Sequence, residues 1–68
     1  MSHDITLDEA TLRAEQIEVV CRLMEGYQNE LEDREVTVLA ALLSRLAGGV
    51  VAWLGEEQYQ RKEARHAD

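Results

Sequence analysis

The chain contains no proline, no phenylalanine and one cysteine, Cys21. A single cysteine excludes an internal disulfide. No cluster of Cys and His has zinc-site spacing. A chain of 68 residues makes one domain at most. At that size folding buries only about 60% of the unfolded surface, which is marginal for a lone chain. Small proteins compensate with disulfides, metals, regular helix packing or oligomerisation. The first two are excluded here, so helix packing and self-association remain. A lone cysteine inside an apolar pattern acts as a small hydrophobe and suits a reducing, cytoplasmic setting. The opening MSHDITLDEA is polar and acidic and reads as no signal peptide.

Positive charge is also scarce. The net charge is −7, and it is unevenly spread. Residues 1–35 carry ten acids against three bases, and residues 36–54 carry only Arg45. Such a surface repels nucleic-acid phosphate and anionic membranes, so no direct nucleic-acid partner is expected. It keeps an otherwise apolar protein soluble, and it suits a basic partner.

What is abundant is helix-forming residues: Ala, Leu, Glu, Arg and Gln dominate. The chain therefore reads as all-α. ITLDEATL opens with Thr6 as N-cap and Glu9 as its reciprocal partner, the spacing of a capping box. Ile5 and Ala10 occupy the flanking staple positions. From there Ala10, Ala14, Ile17, Val20, Cys21, Met24, Tyr27 and Leu31 recur at helical intervals. A second stripe, Leu12, Val19 and Leu23, makes the apolar arc wider than one neighbour requires. Glu9–Arg13, Glu18–Arg22, Glu30–Arg34 and Glu57–Arg61 are i,i+4 pairs in the favourable order.

Past Leu31 the apolar phase slips by about one residue, to Val36, Leu39, Leu43, Leu46, Val50 and Trp53. A slip centred on the polar QNELEDRE predicts a turn. Asn29 is expected as a left-handed C-cap and Asp33 as the next N-cap. The expected organisation is a single domain over residues 1–68: helix 1 over about 7–28, a turn at about 29–33, and helix 2 over about 34–64. The fold class predicted is an all-α, two-helix antiparallel hairpin that dimerises into a four-helix bundle.

VTVLAALLSRLAGGVVAWL, residues 36–54, is long enough to span a bilayer. Arg45 near its middle and the acids on both flanks oppose a membrane role. Wound on a soluble helix, the stretch offers a seam to helix 1 and surplus apolar surface that a second copy would cover. The dimer and core seam is assigned to Ile17, Val20, Met24, Leu39, Leu42, Leu43, Leu46 and Val50. Ser44, Gly48 and Ala52 form a strip of small residues, with Ala41 and Gly55 beside it. The Gly48–Gly49 pair costs about 2 kcal/mol of helix propensity relative to alanine.

No catalytic or metal-binding constellation is present, and no cofactor is implied. Glu56 and Glu57 are adjacent on a helix and point apart. Cys21 has no histidine at helical spacing. His3, third in the chain, is a weak copper- or nickel-chelating position, and His66 sits in the polar tail. Trp and Tyr are enriched at binding hot spots. Trp53, Leu54 and Tyr59 are therefore candidate partner-binding residues, with Ser44 and Gly48 as a candidate groove.

TLDEATLRAEQIEVVCRLM and REVTVLAALLSRLAGGVVAWL resemble, in size, acidity and helical layout, small helical-hairpin proteins of bacteria and their phages. Among these are anti-activators of quorum sensing. That resemblance implies a small helical dimer that docks on a LuxR-type transcription activator or another host protein. NELEDREVTVLAALLSRLA also resembles the middle helices of the Hha family of nucleoid-protein modulators, whose basic, aromatic C-terminal part this chain lacks. The function expected is a non-enzymatic, cytoplasmic interaction module: a homodimer that binds and modulates a cellular regulatory protein such as a transcription activator, with inhibition the expected sign. A purely structural oligomerisation module and a single-span membrane peptide are the alternatives.

Overall fold

The computed structural model describes residues 4–66, which form two helices: α1 (Leu7–Glu25) and α2 (Asp33–His66). No strand is present among the described residues. Helix α1 starts where the capping box requires. The Thr6 Oγ1 accepts from the Glu9 backbone N–H at 3.1 Å. The Glu9 carboxylate in turn accepts from the Thr6 backbone N–H at 3.3 Å. Two otherwise orphaned donors are thereby satisfied. Thr6→Ala removes the first of these bonds and is expected to cost about 1 kcal/mol. In a chain this short that is a fall of roughly 4–8 °C in melting midpoint, read by circular dichroism. An unchanged midpoint would show that the α1 start is held by packing instead.

Helix α1 ends at Glu25, three residues earlier than the periodicity predicts. Gly26 is the C-cap, its N–H donating to the Arg22 carbonyl. Glycine is the weakest helix former in this chain and exposes the backbone to water. It does not use a left-handed conformation here: its φ is −86°. Asn29 is not left-handed either, since no described residue other than glycine has positive φ. The connection therefore runs over 26–32. Asp33 is the first residue inside α2 rather than its N-cap. The Glu32 carbonyl accepts the first helical bond, from the Val36 N–H at 2.9 Å. The Glu35 carboxylate reaches back to the Glu32 N–H at 2.8 Å. Asp33 and Glu35 still favour the positive end of the helix dipole from within the first turn.

The helices pack side by side as a hairpin. Met24 and Leu39 line one hollow near the connection, and Ile5 and Trp53 line another at the far end. At 1.5 Å per residue α2 is roughly 51 Å long against roughly 29 Å for α1. The last turns of α2 therefore overhang. The longest dimension is 56 Å and the radius of gyration 16.1 Å, where a compact chain of this length has about 11 Å. Among the described residues only Ala10 is buried, at 5% exposure. These residues form a seam but no enclosed core.

Candidate functional site

Ile17, Val20 and Met24 from α1, and Leu39, Leu42, Leu43, Leu46 and Val50 from α2, are all half-buried. They are spaced at three and four, as a single helix–helix contact requires. Arg13 joins them, which periodicity did not foresee. Its side chain lies over Gly49, so that a Cβ built on Gly49 would stand 3.1 Å from Arg13 Cδ. The hairpin thus uses Gly49 for close approach, while Gly48 faces open space. Arg13 is consequently drawn away from the expected pairing with Glu9, whose carboxylate holds Thr6. Two of the expected pairs form: Arg22–Glu18 and Arg61–Glu57, each at 2.9 Å. Glu30 falls in the connection, outside helical i,i+4 geometry with Arg34.

Ala14, Cys21 and Tyr27, expected on the α1 seam, are exposed, and so is Val36 on α2. One neighbour covers a single narrow stripe of a helix, and these residues lie on its flanks. Leu12, Val19 and Leu23 are exposed as the wide apolar arc implies. His3 lies outside the described residues. No group of three or more His, Cys, Asp or Glu side chains comes together among the described residues in a way that would hold a metal.

The candidate partner-binding residues separate into two settings. Trp53 is half-buried and lines a hollow with Ile5, Arg13 and Glu56. Leu54 and Tyr59 stand out at 54% and 58% exposure. Ser44 and Gly48 are exposed on the side of α2 turned away from α1. A further feature emerges only in three dimensions. At the connection end, Leu23, Met24, Tyr27, Leu31, Val38 and Leu39 line an open apolar groove of about 470 Å³. Its charged lining residues are Arg34 and Glu35, and the chain around the connection, residues 25–35, holds five acids and one base. The sequence signal for it was Leu23, Tyr27 and Leu31 lying beside the phase slip.

Surface area shows how much remains uncovered. The chain exposes 5709 Å², where a compact protein of 7.7 kDa exposes about 4,300 Å². Helix α2 also contains an 18-residue window of mean hydropathy 1.8, in which the seam residues are half-buried and none is fully buried. By length and composition that window is enough to cross a bilayer, a test that apolar helices of soluble proteins also pass. Comparison with protein-family models, with curated proteins and with solved structures finds no match.

Proposed function

We propose that this chain is a non-enzymatic protein–protein interaction module: a homodimer of hairpins forming a four-helix bundle that binds and modulates a cytoplasmic regulatory protein, such as a transcription activator, with inhibition the expected sign. The observation that carries this reading is the uncovered apolar surface of a hairpin in which, among the described residues, only Ala10 is buried. Soluble monomers rarely expose contiguous apolar patches beyond a few hundred Å². Self-association accounts for part of the surplus, and the groove at the connection end suits the regulatory partner. Its apolar floor takes the apolar face of an amphipathic helix. The acidic connection beside it favours basic residues on that helix and hastens encounter at low salt.

The test compares the wild-type chain with Tyr27→Ala as bait in host lysate, with the bait mass measured by sedimentation. Tyr27 is exposed and outside both helices, so its truncation is expected to leave helicity and dimer mass unchanged. Loss of a specific captured regulator, by roughly tenfold or more for a hot-spot aromatic, supports the reading. Equal capture by both baits removes the groove from it. The apolar window of α2 favours one second reading, a single membrane span. Flotation of the chain with lipid vesicles, and insolubility in plain buffer, would replace the first reading by the second.

A further inference from the structure

One flank of α2 has a charge pattern that selects its own partner. Val36, Ala40, Ser44, Ala47, Val51 and Leu54 follow one another at steps of three and four, so they share a side of the helix. All but Ala47 are exposed, Val51 at 67%. The same flank begins at Asp33 and ends at Lys62 and Arg65, at the overhanging end of α2. No charge lies on it between those ends. It is an apolar stripe with an acidic N-terminal end and a basic C-terminal end.

We infer that this flank docks on the same flank of a second copy, with the two α2 helices antiparallel and crossing at Ala47–Gly48. The inference rests on the homodimer proposed above and specifies its interface and direction. Three observations support it. First, antiparallel pairing sets Lys62 of each chain against Asp33 of the other and brings Arg65 toward Glu30 and Glu32. A parallel pair would oppose Lys62 to Lys62 and Asp33 to Asp33. The helix dipoles agree, since each acidic N-terminus then lies beside a basic C-terminus. Second, reversal about Ala47–Gly48 sets small residues against the flank near its centre. Val51 falls opposite Ser44, and Ala40 opposite Gly55. Such matching lets two helices interdigitate at short range. Third, the area suffices. The chain exposes roughly 1,400 Å² beyond a compact protein of its mass, and a stable interface takes about 800 Å² from each partner. A twofold contact of this kind is self-closing and ends at the dimer.

Cysteine cross-linking in the full chain tests this, in a Cys21→Ser background. Ala47→Cys lies at the crossing and meets its own copy. Leu54→Cys lies about 20 Å from its own copy in the antiparallel register, beyond the roughly 7 Å between Cα atoms that a disulfide tolerates. Mild oxidation is expected to yield covalent dimer from Ala47→Cys at least about tenfold faster than from Leu54→Cys. A chain carrying both Ser44→Cys and Val51→Cys is expected to cross-link as readily as Ala47→Cys, because those two positions face each other across the pair. Sedimentation of each reduced variant is measured first. A dimer that cross-links equally at 47 and 54 is parallel and overturns the inference. So does a dimer that cross-links at none of these sites, although the homodimer itself then stands. A monomer for the Cys21→Ser chain at all concentrations overturns both.

Discussion

Leu46→Asp is expected to abolish the cooperative unfolding transition of this protein. Leu46 is half-buried near the middle of the α1–α2 seam, and it also lines a shallow hollow with Leu12, Arg13 and Gln16. The substitution removes an apolar contact and places a carboxylate in the seam. Burying part of a leucine contributes on the order of 1–2 kcal/mol. Setting a charge there without a dedicated partner adds a desolvation cost. A total of about 3 kcal/mol or more is a large share of what so small a chain has, since stability runs at roughly 0.05–0.15 kcal/mol per residue. Isolated helices of this length are marginal in water, so loss of the seam takes most helicity with it. Far-UV circular dichroism through a thermal ramp reads this directly. Leu46→Met, which conserves volume and apolarity, is expected to cost under about 1.5 kcal/mol. If Leu46→Asp melts like wild type, the seam does not hold the fold.

The second large effect concerns concentration. A homodimer's stability depends on protomer concentration, and a tenfold dilution lowers it by about 1.4 kcal/mol. The melting midpoint of the wild-type chain is therefore expected to fall by several degrees for each tenfold dilution. Leu54→Asp is expected to remove that dependence and halve the sedimenting mass. Leu54 is 54% exposed in the hairpin, so an aspartate there costs the single chain little. In the proposed dimer it would lie against apolar residues of the second copy and be desolvated, which costs several kcal/mol unless it is paired. A midpoint independent of concentration in the wild type would mean that the exposed flank of α2 is not covered by a second copy.

Much of the local structure was legible in the residues themselves. The capping box of Thr6 and Glu9 forms as read, because both partners lie within four residues and need no other element. Glu18–Arg22 and Glu57–Arg61 form for the same reason. The end of α1 was less legible. The phase slip places the turn at about 29–33, whereas α1 already stops at Gly26. Glycine carries a propensity cost rather than a prohibition, so its effect depends on whether the following residues find a better place outside the helix. The connection-end groove was hidden because it joins Leu23 and Tyr27 to Val38 across the turn.

The sequence alone determined that the chain is helical, that it breaks once, and that its apolar surface exceeds what two helices cover on each other. These properties follow from composition and from spacing within a turn or two. The tertiary structure decided which stripe of each wide apolar arc is used. Arg13 entered the seam in place of Ala14 because Gly49 leaves room for its side chain, and Cys21 and Val36 were left on the surface. Periodicity ranks residues by angle around one helix. Where the neighbouring helix lies is set by the length of the connection and by the close approach at Gly49.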